Sequence, residues 1–175
     1  MEIVRTLALV VCAALSAGQV QDLVGLAQED GWDVWVIATP NACSFIDQPL
    51  LTALTGHPVV VSATEISLPH FTAAVVVPAT FNTLRKWSQG VADTYALTLL
   101  LDWTRRGAPP ILAFPRASAE LAQDSEFAPS LDRLRWQGVT VYYRPDLYPP
   151  NNNLPWSRIL EILQALPNAN NGQPS

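Results

Sequence analysis

Residues 5–38 constrain the fold more than any other part of the chain. They read as an apolar run within "VRTLALVVCAALSAGQ", then an amphipathic stretch, then a second β-rich run. In "GQVQDLVGLAQED", Val20, Leu23, Val24 and Ala27 recur at the i, i+3, i+4, i+7 spacing of a helix with one buried face. The turn-forming start of "GWDVWVIATP" leads into a strand from Val34 to Ala38. Buried parallel strands read as near-continuous apolar runs, and a helix between two of them carries the chain back, so this order spells a βαβ unit. A secretory signal peptide is the competing reading. Arg5 would be its basic start, Leu7 to Leu15 its apolar middle, and Ala14, Ser16, Ala17 and Gly18 its cleavage site. A signal peptide gives no reason for the helix and second strand that follow.

The alternation continues. "SFIDQPLLTALTG" reads as a helix closed by Gly56, "PVVVS" and "TAAVVVP" as strands, and "TLRKWSQGVADTYALTLLLDWTRRG" as one long helix or two short ones. Strand "PILAF", helical "SAELAQDSEFAPSLDRLRWQG", strand "VTVYY" and helix "WSRILEILQAL" complete the pattern. Six strands separated by helices predict an α/β doubly wound parallel sheet. The chain is read as one domain over 1–166, with a disordered tail at 167–175 and an irregular loop, "RPDLYPPNNNLP".

Composition narrows the function classes. With only 14% charged and 49% apolar residues, a monomer would leave apolar surface wet, so self-association is expected. A net charge of -5 and scattered Lys and Arg argue against a nucleic-acid partner. Cys12 and Cys43 make neither a disulfide framework nor a metal site; they fit a reducing, cytoplasmic setting, and no metal is expected. No apolar run is long enough to span a bilayer, so no membrane partner is expected either.

Ligands of such sheets sit at the carboxyl ends of the strands, so the turns leaving them are where chemistry is sought. The first, "CAALSAG", offers backbone N–H groups around Ala13 and the Ser16 hydroxyl as a phosphate cradle, but lacks the GxGxxG pattern of a dinucleotide site. The second, "ATPNACSFI", offers Thr39 and Ser44 as hydroxyls and Phe45 as an apolar surface; helix caps and a core Phe would use the same residues. The third, "VVVPATFNTLRKWSQGVADT", resembles the Pro-Ala-Ser-Ala-Asn-Thr signature of the flavin-containing cysteine decarboxylases. Pro78, Ala79, Asn82 and Thr83 match, Thr80 is a conservative change, and Phe81 replaces the usual Ala. Lys86, Gly90, Ala92 and Asp93 keep the downstream spacing. "CAALSA", and Thr39 with Phe45 and Ile46, resemble that family's first two loops, which favours a first strand over a signal peptide.

The resemblance implies a flavodoxin-like, three-layer α/β/α protomer that binds FMN, with FAD a possible substitute, and assembles as a homo-oligomer, a trimer or a dodecamer of trimers. The implied cofactor residues are Ala13, Ser16, Thr39, Ser44, Phe45, Pro78, Ala79, Thr80, Asn82, Thr83 and Asp93. The implied reaction is oxidative decarboxylation of the C-terminal cysteine of a ribosomally made precursor peptide to an enethiol, with Asn82 binding the substrate carboxylate; capping of the following helix is the alternative role for Asn82. Two departures stand out. The family's catalytic His lies fourteen residues before the signature Pro, where this chain has Thr64; His70 is then the candidate base if its segment is rearranged. The family's Pro-x-Met-Asn substrate motif is "FPRAS" here, so Arg116 is expected to grip a carboxylate, with Ser118 beside it, unless Arg116 simply starts a helix in solvent. The missing Met-Asn pair argues against phosphopantothenoylcysteine as substrate. The loop "RPDLYPPNNNLP" lies where the peptide branch carries a substrate clamp. The alternative, from a different class, is a flavin-binding protein without decarboxylase activity.

Overall fold

The computed structural model describes residues 4–63, 66–150 and 152–166, so the tail expected at 167–175 lies outside the described residues. Its elements are β1 (Arg5–Val11), α1 (Val20–Glu29), β2 (Trp32–Ala38), α2 (Gln48–Thr55), β3 (Ala73–Thr80), α3 (Phe81–Gln89), α4 (Tyr95–Arg106), β4 (Ile111–Arg116), α5 (Phe127–Trp136), β5 (Thr140–Val141) and α6 (Trp156–Gln164). Short 3-10 turns at Leu15–Gln19, Pro40–Ser44 and Leu121–Gln123 link some of them. The sheet is parallel with order β2-β1-β3-β4-β5, the flavodoxin-like doubly wound arrangement.

Alternation along each strand builds two cores. Leu7, Leu9, Val11, Val75, Val77, Leu112 and Phe114 face α1, α2 and α6. Ala8, Val10, Ala74, Val76 and Ala113 face α3, α4 and α5. The second face is rich in alanine, which leaves room for the fully buried Trp87; its indole N–H reaches the Thr104 hydroxyl at 2.9 Å. With helices on both faces, no strand side needs to be polar, which is why the strands read as unbroken apolar runs.

Five strands form among the described residues, not six. "PVVVS" makes only a single bridge, Ile37 to Val60. Pro58 has no N–H to give to a ladder, and the chain leaves the edge of β2 after Val60 exchanges bonds with Val36 and Ala38. "VTVYY" pairs with β4 only at Thr140 and Val141. The long helical stretch is two helices. Gly90 ends α3 at φ +79°, a left-handed turn that suits glycine, and the Thr94 hydroxyl caps α4 by accepting from the Leu97 N–H at 3.2 Å. Such a cap contributes about 1 kcal/mol. In "SAELAQDSEFAPSLDRLRWQG" the helix proper begins only at Phe127, with Pro129 tolerated in its first turn.

Candidate functional site

The strand order reverses beside β1: its carboxyl end leads to β2 on one side, while β3 lies on the other. Backbone bonds tie the three strand ends together there, from the Thr39 N–H to the Val11 carbonyl at 3.0 Å and from the Cys12 N–H to the Pro78 carbonyl at 3.2 Å. Beyond this knot opens a cleft of about 390 Å³, within the range of small-molecule sites. Ala13 comes from the first turn; Thr39, Pro40 and Asn41 from the second; Thr80, Asn82, Thr83 and Lys86 from the β3–α3 junction; and Asp93, Thr94 and Leu97 from the start of α4.

Local structure sets these side chains. Thr39 is buried and caps the 3-10 turn at Pro40–Ser44, its hydroxyl accepting from the Ala42 N–H at 3.3 Å. Pro78 interrupts the β3–β4 ladder, whose register shifts between Val76 and Ala79. The Thr80 hydroxyl donates to that of Thr83 at 3.2 Å. Beneath them lies Cys12: burial pushes its thiol above the ordinary range, against the opposing pull of hydrogen bonds with Thr83 and Thr80. The titratable side chains of the cleft wall are Lys86 and Asp93, and they pair at 2.6 Å, so each cancels the other. Four threonine hydroxyls, two asparagine amides and the apolar faces of Ala13, Pro40 and Leu97 remain. That mixture fits a flat, largely apolar ring system with a polar, uncharged edge, which is the chemistry of a flavin.

Of the residues singled out in the sequence, Ala13, Thr39, Thr80, Asn82, Thr83 and Asp93 meet at this cleft. Ser16 is half-buried in the first 3-10 turn. Ser44 and Phe45 border a separate shallow hollow with Gly18, Gln21 and Asp47; the Ser44 hydroxyl donates to the Asn41 carbonyl at 3.1 Å. Gly18 fits closely where these two turns meet: a Cβ there would sit 3.2 Å from the Phe45 carbonyl oxygen, so the backbone would have to give by a few tenths of an ångström. Pro78 and Ala79 contribute buried backbone beneath the cleft.

The other expected residues lie elsewhere. Thr64 falls outside the described residues. His70 is exposed and precedes β3, next to Thr72, whose N–H donates to the Thr6 carbonyl at 2.8 Å. It therefore sits at the amino edge of the sheet, on the order of 20 Å along β3 from Thr80. His57 is used structurally: its Nε2 lies 2.7 Å from the Asp33 carboxylate and its ring stacks on Trp35 at 3.9 Å. Arg116 neither grips a carboxylate nor starts a helix in solvent. Its guanidinium is buried, with its pKa lowered by desolvation, and it donates to the carbonyls of Pro149 (3.0 Å) and Asn152. These carbonyls belong to the stretch between β5 and α6, which is held again where the Gln19 amide donates to Asn153 at 3.3 Å. The Ser118 hydroxyl accepts from the Leu121 N–H at 3.2 Å, at the start of the 3-10 turn at Leu121–Gln123.

Sequence reasoning did not assign Pro40, Asn41, Lys86, Thr94 and Leu97 to the site. Thr94 had a visible signal, a threonine directly before an amphipathic helix. Lys86 had one in the signature spacing.

Fold and cleft together define a flavodoxin-like protein whose cleft lies at the topological switch point, where sheets of this kind bind ligands. Residues 2–165 match the family model described as Flavoprotein, and the chain belongs to that family. No curated protein sequence matches the chain significantly. Among solved structures, the FMN-dependent cysteine decarboxylase SpaF is similar at 22% identity and TM-score 0.73, over 93% of this chain and 98% of that one. The epidermin biosynthesis protein EpiD from Staphylococcus aureus is similar at 17% identity and TM-score 0.72, over 90% and 99% of the two chains. A PPC decarboxylase mutant complexed with pantothenoylaminoethenethiol is similar at 16% identity and TM-score 0.71, over 93% and 100%. At these identities the likeness is one of fold. The family and the FMN-dependent neighbours support FMN as the group expected in the cleft.

Proposed function

We propose that the chain is an FMN-dependent decarboxylase acting on the C-terminal cysteine of a ribosomally made peptide. The observation that carries this reading is the placement of Asn82: it lies in the first turn of α3, at the mouth of a cleft whose wall suits a flavin. Its Oδ1 accepts from the Arg85 guanidinium at 3.5 Å, which leaves its amide hydrogens available to a substrate carboxylate. Asn82 is not the N-cap residue of α3: Thr80 occupies that position, without a side-chain capping bond.

In the proposed mechanism, Thr39, Thr80, Thr83, Thr94 and Asn41 would hold the polar edge of the cofactor through neutral hydrogen bonds, and Ala13, Pro40 and Leu97 would keep water from its ring. FMN, when bound, accepts the two electrons released by oxidation of the cysteine. Asn82 orients the carboxylate that leaves as CO2. No histidine lines the cleft among the described residues, so the substrate thiol ionises without an imidazole partner from this protomer. A free thiol has a pKa of about 8.5 and is a few per cent thiolate near neutral pH, which makes the missing base a modest cost of about 1 to 2 kcal/mol.

The test is incubation of the FMN-loaded protein with a peptide ending in Cys. The product loses about 46 mass units, CO2 plus two hydrogens, and the rate rises as pH approaches about 8.5. The second reading, a flavin-binding protein without decarboxylase activity, is favoured by the position of both described histidines away from the cleft. An unchanged peptide mass across Cys-ending sequences would select it. We further propose that the protomers associate as trimers or multiples of trimers. Trp136 and Leu15, at 91% and 88% exposure, supply apolar surface for such burial, and light scattering reads the mass.

A further inference from the structure

The structure raises the question of which cation meets the substrate carboxylate. Arg116, the residue in the expected place, is committed to two backbone carbonyls. Lys86 lines the cleft but is neutralised by Asp93 at 2.6 Å. Arg85 differs from both. Among the described residues it has no carboxylate partner, whereas Arg5, Arg106, Arg133, Arg135, Arg144 and Arg158 each have one. Arg85 is half-buried and does not itself line the cleft, but its guanidinium lies 3.5 Å from the amide oxygen of Asn82, which does.

We infer that Arg85 is a substrate-binding residue that, together with Asn82, forms a two-residue site for the terminal carboxylate of a peptide. This role for Arg85 rests on the proposed function and adds the group that selects a free acid over other chain ends. The amide and the guanidinium are one helical turn apart on the same face of α3, and they contact each other through the Asn82 oxygen. The Asn82 N–H groups and the remaining Arg85 N–H groups are then free to donate to the two oxygens of one carboxylate. A neutral C-terminal amide would leave the guanidinium without an anion, so the site discriminates by charge as well as by shape.

The test uses FMN-loaded protein and two otherwise identical peptides ending in Ser in place of Cys, one with a free carboxylate and one with a C-terminal amide. Because neither is turned over, binding is read directly from perturbation of the flavin absorbance. The wild type binds the acid more tightly than the amide. Arg85→Met reduces that preference about tenfold or more, the factor for one hydrogen bond to a charged group. Arg85→Lys keeps part of it, because the charge stays and the fork is lost. FMN affinity and melting temperature are unchanged in both variants. An acid preference in Arg85→Met equal to that of the wild type overturns the assignment of Arg85 and leaves the decarboxylase reading standing. If the FMN-loaded wild type binds neither peptide and also fails to decarboxylate Cys-ending peptides, the proposed function falls and this inference with it.

Discussion

Replacing Asn82 by alanine should move stability and activity in opposite directions. Asn82 is exposed, lies one position into α3 from its first residue Phe81, and makes a single long side-chain contact, 3.5 Å to Arg85, among the described residues. That contact is worth close to nothing in water, and the N-cap position belongs to Thr80. Alanine is the better helix former by up to about 0.7 kcal/mol, so the melting temperature should stay level or rise slightly. If the amide donates to the substrate carboxylate, its loss removes a hydrogen bond to a charged group, about 1.5 to 3 kcal/mol. That range corresponds to a fall in kcat/KM of roughly 10- to 150-fold. The measurements are kcat/KM on a Cys-ending peptide by mass loss, FMN affinity by fluorescence, and thermal unfolding of the loaded protein. A variant that melts several degrees lower and loses activity in proportion would show that Asn82 supports the helix rather than the substrate. Full activity would remove it from the site.

Three more perturbations probe the surroundings. Because burial raises the Cys12 thiol in the folded state above its unfolded value, stability is flat through neutral pH and falls once the unfolded thiol begins to ionise, above about pH 8.5 and by up to about 1.4 kcal/mol per pH unit; denaturant unfolding at a series of pH values should show this slope in the wild type and lose it in Cys12→Ala, and equal slopes would refute it. Arg116→Met leaves the carbonyls of Pro149 and Asn152 without their buried donor, costing about 2 kcal/mol, so limited proteolysis should accelerate between β5 and α6 before it does elsewhere; uniform resistance would show that the stretch is held without Arg116. His70→Ala should leave turnover within about twofold, since the residue lies at the opposite edge of the sheet from the cleft. A tenfold loss would mean that His70 reaches the cleft of another copy.

Much of this arrangement was legible because the site is built from short sequence. Thr80, Asn82 and Thr83 lie within four residues at a strand-to-helix junction; the rule that ligands gather at carboxyl strand ends points to such turns, and the resemblance to the decarboxylase signature singles this one out. What distance in sequence concealed was pairing. Arg116 reads as a free cation because its partners, two backbone carbonyls more than thirty residues later, carry no sequence signature. The role of Lys86 in the cleft was hidden likewise, since cancellation by Asp93 depends on how the chain turns through Gly90 between α3 and α4. "PVVVS" was misread because a β-rich run reports an extended chain and says nothing about whether a neighbour offers a full row of partners. His70 precedes a strand that leads into the site, and only the direction of that strand separates the two.

The charge layout of the cleft bears on why such a site would need so few ionised groups. In the cleft wall, Lys86 and Asp93 neutralise each other and the remaining polar groups are hydroxyls and amides, so the wall exerts little net field on a bound ring system. Among the described residues, Arg85, which touches the cleft residue Asn82, carries a charge without a carboxylate partner. In the proposed reaction the group that this cation meets is the one that departs as CO2. The grip is therefore present for the substrate and absent for the enethiol product, and binding energy spent on the carboxylate does not have to be overcome when the product leaves. A cation placed deep in the cleft would act on both. A second effect follows from the same position: a guanidinium near the end of the peptide also favours the thiolate over the thiol, lowering the pH at which the substrate ionises. Arg85 would thus supply part of what a histidine supplies elsewhere, by stabilising the ionised substrate rather than by accepting its proton.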